Sequence, residues 1–185
     1  MDDALREIKR AQELDPLSPV ISQYLASIYL AQNDISATIE QCQKIIELDP
    51  NFPIVYTTLG SVYLKQRRYA EATAQLQKAV ELSGRASVFL SHWGYCHAVA
   101  GRRAEALQVL KELEERYARR ASLGQYLAIV HAGLADRDQV FAWLERDFQQ
   151  RSGELARITI WFYFDDLRRD PRYAGLMRRM GVSPH

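Results

Sequence analysis

The stretch HWGYCH, residues 92–97, holds the densest set of reactive side chains, with His92 and Cys96 four residues apart on what would be one face of a helix. An imidazole and a thiol so placed suggest a metal site or a reactive thiol. Zinc, however, takes three or four ligands held by a supporting shell, and this stretch offers two. No nucleophile–base–orienter set, no Gly-rich phosphate loop and no pair of carboxylates at an interpretable spacing occurs elsewhere. The chain is therefore expected to have no catalytic residues, no metal and no cofactor. The basic clusters KQRR (65–68), GRRAEA (101–106) and YARR (117–120) fall at expected turns and helix ends, where solvated cations are ordinary.

Composition narrows the choice further. The 185 residues carry 24 Lys and Arg against 23 Asp and Glu, a balance that gives no field for nucleic acid or an anionic membrane. No apolar run approaches the roughly 18–20 residues of a membrane span. MDDALREIKR is charged where a signal peptide would be apolar. Two cysteines, Cys42 and Cys96, do not make a disulfide framework, which favours a reducing compartment such as the cytoplasm. An extracytoplasmic site is the alternative if the full-length chain is membrane-anchored. With 9 Gly and 6 Pro the chain is poor in breakers and reads as helical throughout.

What positions these residues is an internal repeat. Residues 19–52, 53–86, 87–120 and 121–154 align without a gap at a period of 34. Leu25, Leu59, Trp93 and Leu127 are large, whereas the next residues, Ala26, Gly60, Gly94 and Ala128, are small. Ile28, Val62, Cys96 and Val130 are apolar, followed by the ring-bearing Tyr29, Tyr63, His97 and His131. Cys96 and His97 are thus packing positions first. In the first unit, Ile21, Leu25, Ile28 and Tyr29 form one helical stripe, and Ile35, Ile39, Cys42, Ile45 and Ile46 form a second. The break at 32–34 separates them, and LDPNFP (48–53) closes the pair. The ladder through Ile45, Ala79 and Leu113 reaches Asp147 in the fourth unit, which predicts changed packing there. Ala4, Ile8 and Ala11 precede Thr38, Cys42 and Ile45 by 34, so residues 1–18 read as the second helix of a repeat whose first helix is missing. The chain is expected to continue a longer protein upstream. Such pairs bury their apolar faces only by stacking into a solenoid.

Two helices in 34 residues, carried by YLASIYL (24–30), LGSVYLKQRRYAEA (59–72), WGYCHAVAGRRAEA (93–106) and LAIVHAGLADRDQV (127–140), resemble the tetratricopeptide repeat. The resemblance covers residues 3–150 and implies an all-α, right-handed superhelical solenoid. It also implies that the first helix of each unit lines a concave groove for a protein or peptide. The groove ladders are then Gln23, Thr57, Ser91 and Gln125; Tyr24, Thr58, His92 and Tyr126; and Ser27, Ser61, Tyr95 and Ile129. Amides, hydroxyls and rings without charge suit a neutral or mixed peptide. Members that clamp a C-terminal carboxylate use Lys, Arg and Asn, where this chain has Gln23, Ser27, Ile54, Thr58, Val88 and His92.

The last segment reads differently. The Asp-Pro of LRRDPRYAGLMRRMG lies out of phase with the closing Asp49-Pro50 and suits a helix start, with Asp170 as cap and Pro171 in the first turn. Tyr173, Leu176, Met177 and Met180 form its apolar stripe, and Gly181 ends it. ITIWFYFDDL (158–167) is expected to pack on the last repeat, so that residues 155–185 form a helical cap with a phase of its own. Residues 132–152 and 164–182 look like the C-terminal signature of tetratricopeptide arrays in bacterial signalling chains. In these the array follows a winged-helix, Ser/Thr kinase or nucleotide cyclase domain; Asp166 stands where their Pro is usual. The implied role is a non-catalytic interaction or sensory arm of a regulator. The rival readings are self-association through the open face of the first helix, at Leu5, Ile8 and Leu14, and an accessory domain of an enzyme encoded upstream.

Overall fold

The computed structural model describes residues 2–150, 155, 158–159 and 161–182, with side chains from residue 5 onward. The side chain of Ala4, residue Ile160 and the expected boundary at 154 lie outside these residues. Every regular element described is helical: α1 (Asp2–Leu14), α2 (Pro19–Ala31), α3 (Ile35–Leu48), α4 (Pro53–Lys65), α5 (Tyr69–Leu82), α6 (Ser87–Val99), α7 (Arg103–Ala118), α8 (Gly124–Gly133), α9 (Arg137–Gln149), a 3-10 segment (Phe162–Leu167) and α10 (Pro171–Arg179). Two compact units, Met1–Phe89 and Leu90–His185, divide the chain within α6.

The turn inside each pair is built the same way four times. Asn33, Arg67, Gly101 and Ala135 have φ of 60°, 59°, 78° and 61°, the left-handed conformation that ends a helix. The next amide, at Asp34, Arg68, Arg102 and Asp136, donates back to the carbonyl of Tyr29, Tyr63, His97 and His131 at 2.9, 2.9, 2.9 and 3.0 Å. The ring ladder therefore also marks the carbonyl that closes each turn. Asp34 and Asp136 then cap the following helix by accepting from Ala37 and Gln139. Pro19 and Pro53 open α2 and α4 at the first turn, where a missing N–H costs nothing. Pro53 thus begins a helix and does not close the pair before it.

In the first unit α2 packs on α3 and α4 on α5. Ala26, Cys42, Ile45, Val55, Tyr56, Leu59 and Ala79 form one buried cluster, and burial pushes the Cys42 thiol up to about 12. The small ladder has a measurable reason. A Cβ on Gly60 would stand 2.6 Å from Leu76 Cγ, and one on Gly94, in the second unit, 2.9 Å from both Val109 and Val130 methyls. Gly60→Val is expected to destabilise the fold by about 2 kcal/mol through overpacking, read as an earlier denaturant midpoint.

The second unit departs from the strict repeat at α8. α7 runs 16 residues and α8 only 10, starting at Gly124 where the period would start it at 121. Asp147, buried on α9, accepts from the Gly124 and Gln125 amides, both at 2.7 Å. The polar residue in an apolar ladder therefore serves as a long-range cap for the late helix start. Burial pushes its carboxyl up, and the two amides offset part of that.

α10 corrects the expectation of a separate phase. Helix caps fall at Asp34, Arg68, Arg102, Asp136 and Asp170, each 34 residues after the last. The terminal Asp-Pro is a helix start, as its composition predicts, yet it keeps the helix-start phase of the array. Arg172 and Arg179 pair with Asp138 and Glu145, again 34 residues back. Tyr173, Leu176 and Met177 are buried, and Gly181, with φ of 70°, ends the helix. Where the period would end the first helix of this fifth position, the described residues form the 3-10 segment Phe162–Leu167.

Candidate functional site

The residues expected to line a groove divide between the two units and meet different fates. On α2, Tyr24 is 62% exposed and Ser27 is exposed as well. Gln23 is buried between them, its Nε2 donating to Thr58 Oγ1 at 2.8 Å and Ser27 Oγ at 3.2 Å. That bond ties α2 to α4 side by side. Thr57, Thr58 and Ser61 on α4 are buried, and Thr58 and Ser61 donate to the carbonyls one turn back. On the same two helices Val20 is 50% and Ile54 44% exposed.

In the second unit the face is covered by the chain itself. His92 meets Tyr163 with ring centroids 5.1 Å apart and Trp161 at 6.1 Å. Tyr95, one turn along α6, meets Tyr163 at 4.6 Å and Phe162 at 6.2 Å. The 3-10 segment also packs on α8. Gln125 is 0% exposed, and its side-chain carboxamide finds no partner among the described residues. Tyr126 is half-buried. His92 and Gln125 are thus buried and Tyr95 is half-buried, with the aromatic segment packed on α6 beside His92 and Tyr95. Its own composition was the signal: an uncharged run of four rings, residues 161–164, needs a face that accepts rings.

HWGYCH does not converge on one point. Cys96 is buried on the apolar side of α6, His97 stacks edgewise on Trp93 at 4.6 Å, and His92 faces the aromatic segment. Burial lowers the affinity of His97 and His131 for a proton; Arg102 reinforces the shift at His97, and Asp136 opposes it at His131. Both fold as neutral rings. A folded pKa below the unfolded value of about 6.5 makes their contribution full above that pH and lost as pH falls through the folded value. His97→Tyr with His131→Tyr, which copies Tyr29 and Tyr63, is expected to flatten the fall in melting temperature as pH drops below about 6.5.

A shallow groove between α9 and α10 is lined by Phe141, Ala142, Gly175 and Leu176. Its charges are already matched. Arg172 pairs with Asp138 at 2.7 Å and lies over the Phe141 ring at 4.2 Å, and Arg179 pairs with Glu145 and lies over Phe148. Arg172 also holds the Asp170 carboxyl down at about 2. These contacts fasten α10 in place. Among the described residues no helix is long and apolar enough to cross a membrane.

Models of the tetratricopeptide repeat match residues 25–52 and 42–74. No curated protein matches the sequence. Among solved structures, the chain is similar to TTC0263, a thermophilic TPR protein of Thermus thermophilus, with 21% identity, a TM-score of 0.68, and 96% of this chain and 90% of that one covered. It is also similar to MamA, with 19% identity, a TM-score of 0.53, and 84% and 91% covered. A third is YrrB, a TPR protein with an unusual peptide-binding site, with 16% identity, a TM-score of 0.53, and 93% and 89% covered. At these identities the likeness is one of fold.

Proposed function

We propose that this chain, whose residues 25–74 match the tetratricopeptide repeat, holds a peptide segment of another protein, without catalysis, on the α2 face of its first unit. The observation that carries this is the outward strip of Val20, Tyr24 and Ser27, which is exposed among the described residues and bears no charge. Gln23, Thr57, Thr58 and Ser61 form the polar layer beneath it, and Tyr126 stands at the corresponding place in the second unit. YrrB, a fold relative, is described as having an unusual peptide-binding site, in keeping with a binding role on this scaffold. The likeness of residues 132–152 and 164–182 to arrays in bacterial signalling chains supports reading this chain as a cytoplasmic interaction or sensory arm of a larger regulator.

A photo-crosslinking residue at position 24 should capture a partner whose joined peptide is identified by mass spectrometry. Tyr24→Ala, with the crosslinker moved to position 27, should lose the capture while the far-UV spectrum stays unchanged. Capture that survives this change places the binding surface elsewhere. A second reading, self-association, draws on Leu14 at the end of α1, which is 81% exposed. Light scattering at micromolar concentration that finds a monomer removes it.

A further inference from the structure

The second unit displays what a first-helix face of this array accepts. His92 and Tyr95, three apart on α6, seat Trp161, Phe162 and Tyr163 by tilted and edge-to-face ring contacts. Two 34-residue steps back in the sequence, Tyr24 takes the place of His92 and Ser27 that of Tyr95, on α2. The rings are seated at one end of this correspondence; at the other Tyr24 stands out in solvent. Val20 lies one turn before it on the same helix face. The Gln23–Thr58 bond sets α4 alongside, so that Ile54, one repeat after Val20, borders the same strip.

Nothing on this strip is charged, since its members are Val20, Gln23, Tyr24, Ser27, Ile54 and Thr58. A charged ligand segment would lose hydration there without gaining a partner, whereas a ring loses little and gains contact area. The chain's own aromatic segment is not available to a second copy, because Tyr163 and Phe164 are buried within their own unit. Resting on the peptide-binding reading above, we infer that the α2 face seats a neutral segment with adjacent aromatic residues, supplied by another protein, with Tyr24 as the ring platform.

A fluorescein-labelled peptide GSIWFYFSG, titrated into the full chain and followed by anisotropy, should bind saturably. Tyr24→Ala and Val20→Asp should each weaken it by about tenfold or more. Both positions are exposed, so an unchanged thermal melt confirms that the variants fold. The aliphatic peptide GSILLLLSG should bind at least about tenfold more weakly. Equal binding of the two peptides, or binding indifferent to Tyr24→Ala, overturns the inference. So does a dimer of the free chain that Tyr24→Ala converts to monomer, which would give the face to a second copy. If crosslinked capture at position 24 depends on Tyr24 while the aromatic peptide fails to bind, the ligand class is wrong and the scaffold reading stands. If neither depends on Tyr24, both fall.

Discussion

Removing residues 164–185 is expected to make the protein aggregate, or to unfold its second unit well below the melting temperature of the intact chain. The deletion takes away Phe164, Leu167, Tyr173, Leu176 and Met177, all buried. At about 1.5–3 kcal/mol for each large apolar side chain removed from water, the loss is on the order of 10 kcal/mol, comparable to the whole stability of a domain. It also uncovers the side of α9 that α10 packs on, and it strips Asp138 and Glu145 of their arginines. Those exposed pairs contribute little beside the apolar loss. Phe164→Ala alone should cost about 3–5 kcal/mol, because the ring is fully enclosed and its neighbours cannot all collapse into the gap. Size-exclusion chromatography and a thermal melt decide the matter. A deletion variant that stays monomeric and melts with the intact chain would mean that the terminal segment is an appendage and no cap.

Most of the helical framework was legible because the repeat states each instruction several times. One Tyr and one small residue would say little, but Tyr29, Tyr63, His97 and His131 in register fix both a stripe and a turn. The phase of the last helix is also there to be read. It is easily missed, because Asp170-Pro171 invites comparison with the closing Asp-Pro at 49–50 and not with the opening caps Asp34 and Asp136. The same dipeptide can open or close a helix, since Pro lacks only the donor that a first turn does not use.

The ladder matches exposed positions at Tyr24 and Ser27 in the first unit and covered ones in the second, for a different reason. A ladder identifies which side of a helix points away from its partners, but not what arrives later to cover that side. His92 and Tyr95 satisfy every periodic criterion that Tyr24 and Ser27 do. They are closed by residues far along the chain, whose own 3-10 backbone carries no helical period to read. Long-range packing of an irregular segment is the part of a fold that periodicity does not encode.

Asp147→Leu brings these threads to one position. By ladder logic the change repairs the array, placing an apolar side chain where Ile45, Ala79 and Leu113 stand. By the observed geometry it leaves the Gly124 and Gln125 amides of α8 without acceptors in a buried setting. Each orphaned donor costs about 1–3 kcal/mol, against about 1–2 kcal/mol gained from the added apolar contact, because part of that area is buried already. At the middle of these ranges the donors win, and the net expectation is a loss of about 2.5 kcal/mol, or roughly 5–10 °C in melting temperature for a chain of this length. Asp147→Asn should cost less, since its amide oxygen still accepts one of the two bonds. A side chain at Gly124 does not compensate, because an added Cβ there would stand 2.8 Å from the Trp143 carbonyl oxygen. Hydrogen exchange separates this local mechanism from general loosening. The Gly124 and Gln125 amides should be protected in the parent and exchange rapidly in Asp147→Leu, while the α4 amides of the first unit keep their protection. Unchanged or increased stability in Asp147→Leu would show that the apolar ladder, and not the long-range cap, governs how α8 begins.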